Sequence, residues 1–282
     1  MPFASFSAVA AFTSLFFFNL FQLLSFVVLP FSRDLFRRVN SSCAGLWWGL
    51  SLKWSDKFLG SRIMVVGDAL PMGENAVVFA NHQQMPDVLC IWKVARGSHM
   101  LRHLKWFAKS SLKWVPGMGW GMWCIDSIFL KRDWEADRGK VVSYLGKFER
   151  EKIPIWLVSF PEGTRLTPEK RQASQSFARK RGRPVLQNVL LPRTKGFTTS
   201  VEGLREHCDA VYMVTIYYVH GVSSLWRWLR GLGGDVVVDV VRFPMNEVPQ
   251  GDRDLGPWLI SRFEAMDRKL TSLAAAHPPS HS

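Results

Sequence analysis

Apolar side chains fall into two kinds of run along the 282 residues. From Phe3 to Phe31 they are nearly continuous, and no charged side chain appears before Arg33. Such a run exceeds the ~20 residues needed to cross a hydrocarbon core. It also exceeds the ~7–15 apolar residues of a cleavable leader and lacks the basic start of one. The second kind of run is short. Ile63–Val66, Val77–Ala80, Ile128–Leu130, Ile155–Phe160, Val211–Tyr218 and Val236–Val241 are β-branched or aromatic stretches of strand length. Between them, Asp87–Ala95, Glu135–Phe148 and Ala173–Arg181 carry helical spacing. Leu255, Leu259, Phe263, Met266, Leu270 and Leu273 draw one apolar stripe along a last helix.

Strands alternating with helices predict an α/β domain, a mostly parallel sheet flanked by helices. Leu46 to Leu59 is Trp-rich but interrupted by Lys53, Asp56 and Lys57, which predicts an amphipathic helix lying in a membrane interface. Pro30 leaves two forms open for the first segment, a single span or a helical hairpin held in one leaflet. The chain divides into an N-terminal membrane anchor (1–60), the α/β domain (61–275) and a disordered tail (276–282).

Composition sharpens this. Apolar residues make up 48% and charged residues 21%, enough for a substantial core. Lys and Arg exceed Asp and Glu by 36 to 23, a net +13, which implies an anionic partner. The 13 Trp turn that expectation toward a bilayer surface, because indole sits at headgroup level while basic chains reach for phosphates. Nucleic acid is not expected: no recognition helix, RNP or zinc-finger pattern is present. Arg33, Arg37 and Arg38, directly after the apolar run, predict a cytoplasmic C-terminal flank. Lys105, Lys109 and Lys113 recur every four residues, as on a basic helix face toward anionic lipid. Lys170-Arg171 and Arg179-Lys180-Arg181 with Arg183 read as a solvated face. Trp226 and Trp228, beside Arg227 and Arg230, read as a segment dipping into the interface. The four Cys are scattered, and His99 and His103 lack the Glu of a zinc helix, so no metal set is expected.

Two strings carry chemistry. In Asn81-His82-Gln83-Gln84-Met85-Pro86-Asp87, His82 and Asp87 are five residues apart. On a regular helix they would diverge by about 140°. They meet only if His82 lies in a strand-to-helix loop and Asp87 reaches back from the first turn. Asp87 would then fix the tautomer and leave the other ring nitrogen free to take a hydroxyl proton. Phe160-Pro161-Glu162-Gly163-Thr164-Arg165 leaves the C-terminal end of a strand, where α/β sheets bind ligands. Gly163 permits a tight turn, Thr164 adds a hydroxyl, and Arg165 offers a fork matched to phosphate. Glu162 either holds that Arg or bonds a substrate hydroxyl.

Together the two strings resemble the N-H-x4-D and F-P-E-G-T-R signatures of the glycerolipid acyltransferases, the family of 1-acylglycerol-3-phosphate acyltransferases. Ser127-Ile128-Phe129-Leu130-Lys131-Arg132 is similar to the family's strand ending in a phosphate-binding Arg, with Asp126 where a Gly usually opens that block. Val189-Leu190-Leu191-Pro192-Arg193 matches the block after the Glu-Gly-Thr-Arg turn. Leu112–Gly117, Thr194–Phe197 and Arg242-Phe243-Pro244 resemble the eukaryotic branch, which includes lysocardiolipin acyltransferases.

The resemblance implies a glycerolipid acyltransferase-like fold, with residues 61–275 as the catalytic domain. It implies His82 as general base, Asp87 as its orienter, and Arg132, Glu162, Gly163, Thr164, Arg165 and Lys109 as binders of the acceptor phosphate. The expected reaction moves an acyl group from acyl-CoA, a co-substrate, to a lysophospholipid, foremost 1-acylglycerol 3-phosphate, with no further cofactor. Reacylation of lysocardiolipin or lysophosphatidylinositol is the alternative within the class; a catalytically inert membrane-binding protein is the alternative outside it. The expected location is a membrane, the endoplasmic reticulum by family, with the active site on the cytoplasmic side.

Overall fold

The computed structural model describes residues 2–115, 117–131 and 133–277. The chain opens with α1 (Pro2–Leu24) and, after the bend that carries Pro30, α2 (Arg33–Phe58), whose first turn is capped by Ser32 accepting from the Leu35 N–H at 3.1 Å. The two helices are antiparallel. Phe6 lies against Trp54, Trp47 Nε1 donates to Ser14 Oγ at 3.1 Å, and Asn40 Nδ2 donates to Ser25 Oγ at 2.8 Å, so contacts run in opposite order along the pair. The pair forms a helical hairpin. Phe6–Val27 is long and apolar enough to cross a membrane, by length and composition.

The amphipathic helix expected over Leu46–Leu59 is the second half of α2; part of its apolar surface faces protein, while Leu46, Leu50 and Phe58 are exposed. Trp48 and Leu52 are buried in the core, with Trp48 stacked 5.5 Å from Trp92.

The α/β part continues with β1 (Ile63–Gly67), β2 (Ala76–Ala80), α3 (Asp87–Gly97), β3 (Leu104–Lys109), α4 (Met118–Cys124), β4 (Ile128–Leu130), α5 (Trp134–Arg150) and β5 (Trp156–Ser159). It ends with α6 (Pro168–Lys180), α7 (Thr194–Leu204), β6 (Ala210–Tyr218), α8 (Leu225–Leu229), β7 (Val236–Pro244) and α9 (Asp252–Ala276). The strands form one sheet in the order β1-β7-β6-β2-β5-β3-β4. Every pairing is parallel except β6 with β7, so β1 and β7 run against the other five. Every residue of β2 is buried, as expected of a central strand covered on both faces. One face packs under α2 and α3 through Trp48, Leu52, Ile91 and Trp92. The other packs under α5, α7 and α9 through Val141, Phe197, Leu259 and Phe263.

The lysine face expected at Lys105, Lys109 and Lys113 is not a helix. Leu104–Lys109 is strand β3, and Lys113 lies in a 3-10 turn, Ser110–Trp114. Four is an even number, so a strand also sets Lys105 and Lys109 on one side, and lysine spacing does not separate the two conformations. Lys105 is buried beside Asp126, Arg37 and Lys147, and burial lowers its ammonium to about 8. Asp126 takes a left-handed φ of +60°, the reason glycine suits this position. Its carboxylate offsets that cost by pairing with Arg37 of α2 at 3.2 Å and Lys147 of α5 at 2.8 Å. Trp228, expected at an interface, is buried with its indole N–H on Ser55 Oγ at 2.8 Å, while Trp226 is half exposed. Residues 278–282 of the expected tail lie outside the described residues.

Candidate active site

Strand β2 ends at Ala80, and Asn81 turns the chain off the sheet. Its buried side chain extends the ladder: Nδ2 donates to the Ile216 carbonyl at 3.0 Å and Oδ1 accepts from the Ile216 N–H at 2.8 Å. His82 therefore stands in a loop, outside α3. Pro86 is the N-cap of that helix. Asp87 opens the helix and reaches back, with its Oδ2 2.9 Å from His82 Nδ1. The same oxygen accepts the N–H groups of Gln83 at 2.6 Å and Gln84 at 2.8 Å. The other oxygen accepts the Tyr218 hydroxyl at 2.5 Å.

Asp87 is fully buried, and each of its oxygens has donors. With no capacity to donate, the carboxylate selects the imidazole tautomer that carries its proton on Nδ1. Nε2 is then the acceptor, and it has no hydrogen-bond partner among the described residues. The ring is braced by Phe160, stacked 4.2 Å away at 19°, and Phe160 lies in turn against Trp106.

The second string arrives beside the first because β5 pairs in parallel with β2, Ser159 opposite Phe79. The Gly163 N–H closes the turn on the Phe160 carbonyl at 2.9 Å, and Gly163 has φ +70°. A Cβ there would lie 3.2 Å from Arg193 Nε, so both backbone conformation and crowding favour glycine. Arg165 is exposed and donates to Gln84 Oε1 at 2.9 Å. Lys170, from the first turns of α6, donates to Thr164 Oγ1 at 2.6 Å. The Leu166 N–H donates to the His82 carbonyl at 2.8 Å, which ties the two loops together.

Glu162 departs from both expected roles. It neither holds Arg165 nor faces a solvent-filled cleft. It is 4% exposed, its Oε1 accepts the His82 N–H at 2.8 Å, and its Oε2 accepts the Leu190 N–H at 3.1 Å. Burial pushes its carboxyl up to about 8, against the pull of those two N–H groups. Its place in the site is to fix the His82 backbone.

Of the remaining expected residues, Lys109 ends β3 at the same C-terminal end of the parallel strands, exposed, with no hydrogen bond or ion pair among the described residues. Arg132 lies outside the described residues. Tyr218 and Lys170 are the residues that sequence reasoning did not bring to this site. Tyr218 ends β6, the parallel neighbour of β2, and no local pattern marks it. Lys170 sits in a basic stretch that by sequence reads as a solvated face. No group of His, Cys, Asp and Glu suited to a metal ion occurs among the described residues. What the arrangement can do is accept a proton at a held imidazole nitrogen, next to a turn whose cations suit an anion.

Comparison with known proteins gives the same direction. A family model described as Acyltransferase matches residues 62–219. The chain is 34% identical over 260 residues to 1-acyl-sn-glycerol-3-phosphate acyltransferase 3 of Arabidopsis thaliana, covering 89% of this chain and 69% of that one. It is also 34% identical over 269 residues to lysocardiolipin acyltransferase 1 of Gallus gallus, covering 93% and 71%. In fold it is similar to the crystal structure of the 1-acyl-sn-glycerophosphate acyltransferase PlsC from Thermotoga maritima, with a TM-score of 0.56 at 18% identity over 95% of this chain and 98% of that one.

Proposed function

The chain belongs to the acyltransferase family, and from that premise we propose that it transfers a fatty acyl group from acyl-CoA to the free hydroxyl of 1-acylglycerol 3-phosphate, giving phosphatidic acid. The observation that carries this reading is the state of His82: Nδ1 is committed to a saturated carboxylate, and Nε2 is left as an acceptor. The acceptor hydroxyl gives its proton to Nε2 as its oxygen attacks the thioester carbonyl carbon. Asp87 stabilises the imidazolium that forms. Collapse of the tetrahedral intermediate expels the CoA thiolate, which recovers the proton from His82. A base so placed contributes about 10²–10⁴ in rate.

The acceptor phosphate lies at the turn, against Arg165, Thr164 and Lys170, with Gly163 allowing close approach. Lys109 and, by resemblance, Arg132 complete that basic rim. Glu162 acts through the His82 main chain. The α1–α2 hairpin rests in the bilayer, where acceptor and product reside, on the cytoplasmic side of the endoplasmic reticulum. Exposed Trp114, Trp120, Trp123 and Trp226 suit headgroup depth around it.

Purified protein offered one acyl-CoA and a panel of lysophospholipids tests the reading. Preference for 1-acylglycerol 3-phosphate, lost in His82→Ala, supports it. Equal similarity to a lysocardiolipin acyltransferase favours lysocardiolipin as the second acceptor, and a strong preference for it would displace the first. Turnover unchanged in His82→Ala would remove the base assignment, and no transfer by wild type would leave the inert reading.

A further inference from the structure

The segment that leaves the Glu-Gly-Thr-Arg turn is strongly cationic, and the acceptor phosphate does not account for its length. Between Arg165 and Gln187 it carries Arg165, Lys170, Arg171, Arg179, Lys180, Arg181 and Arg183 against the single acid Glu169, and all of these are exposed. Only the near end meets the site, through Lys170 on Thr164. At helical rise, the stripe from Lys170 through Phe177 to Arg181 runs on for about 16 Å. Phe177 is 54% exposed on this charged helix, with the Arg181 guanidinium 5.7 Å from its ring centre.

The side of the molecule on which this stripe lies decides between partners. Gln175 of α6 donates to the Leu186 carbonyl, and the Gln187 N–H donates to Asp267 of α9, so α6 borders the sheet face covered by α9. The apolar hairpin packs on the opposite face. A basic surface meant for lipid headgroups would sit beside the exposed aromatics of that hairpin. This one borders the other face of the sheet, starts beside the reaction centre, and combines clustered cations with one flat apolar ring.

We propose that the outer face of α6 and the Arg181–Arg183 turn bind the phosphorylated nucleotide of the acyl donor, with Lys180, Arg181 and Arg183 on its phosphates and Phe177 beneath its base. The inference rests on the acyl-CoA reading above. It supplies a docking track whose start is at the thioester and whose end lies a pantetheine arm away.

The test combines Lys180→Gln, Arg181→Gln and Arg183→Gln in one variant. All three side chains are exposed, so an unchanged Tm and circular dichroism spectrum are expected. The KM for acyl-CoA should rise about tenfold, the loss of roughly 1.4 kcal/mol of binding, with kcat and the lysophospholipid KM kept. Calorimetric binding of adenosine 3′,5′-bisphosphate should weaken alike. Replacing the donor by its 3′-dephospho form should raise the KM of wild type and leave that of the variant unmoved. An unchanged donor KM overturns the proposal. So does an equal response of both proteins to the dephospho donor, or a variant that instead loses sedimentation with phosphatidylglycerol vesicles. The bisphosphate titration needs no turnover, so failure of the acyl-CoA reading would show separately, as absence of transfer by wild type.

Discussion

The Tyr218 hydroxyl donates to Asp87 at 2.5 Å, on the carboxylate oxygen that His82 does not use. Asp87 is thereby held from two sides, by its own loop through Oδ2 and by the end of β6 through Oδ1. Tyr218→Phe removes one hydrogen bond and no ring. A bond to a charged group contributes about 1.5–3 kcal/mol, so kcat should fall by roughly 10- to 100-fold if orientation of the imidazole is what it supports. Steady-state kinetics should show the loss in kcat with the lysophospholipid KM unchanged.

Asp87→Asn tests the tautomer. The amide keeps the size of the side chain but offers a donor where His82, Gln83 and Gln84 all present N–H groups. Either the ring flips its tautomer or a buried donor pair is opposed. Activity should drop by about 10³ or more, close to the loss in His82→Ala. A double variant no slower than either single one would identify the pair as one unit.

Glu162→Gln separates positioning from phosphate binding. One of the two main-chain N–H groups would face an amide NH₂ in place of an oxygen, at a penalty of about 1–3 kcal/mol. A loss of kcat with lower Tm and an unmoved acceptor KM is the expected pattern. A selective rise in acceptor KM would return Glu162 to the substrate. The pH dependence has a defined sign. The folded carboxyl is raised to about 8 from 4.5, so its stabilising contribution is complete below pH 4.5 and is lost as pH rises through 8. The stability difference between wild type and the Gln variant should shrink over that window, by chemical denaturation at stepped pH.

Lys105 moves the opposite way. Burial lowers its folded pKa to about 8 from 10.5, so the fold carries the penalty in full below pH 8 and sheds it between pH 8 and 10.5. The shift corresponds to roughly 3 kcal/mol. Lys105→Met fills the same space without the charge, and Asp126 retains Arg37 and Lys147. The variant should melt higher at pH 7, and the advantage should fade toward pH 10.5.

The strands were legible because a strand covered on both faces is apolar along its length: Val77–Ala80 and Val211–Tyr218 appear in the structure nearly as read. β3 was not legible. Its Trp106-Phe107-Ala108 run is short, and Lys105 at its head reads as surface until Asp126 and α5 close over it. The loop position of His82 was legible for a geometric reason, since a five-residue offset excludes a shared helical face.

By itself the sequence determined the local halves: an α/β alternation, a His that must stand outside the helix of its Asp, a glycine turn bearing Thr and Arg, and an apolar segment of membrane length. Tertiary structure alone decided how those halves join. Glu162 lies 80 residues from the N–H it holds, and Tyr218 lies 131 residues from the carboxylate it fixes. Both are brought in by β5 and β6 flanking β2 in parallel. The same packing buried Lys105 and turned α2 against the domain. Periodicity reports which side of an element is apolar; which partner that side meets depends on strand order, and strand order is set by contacts between segments far apart in the chain.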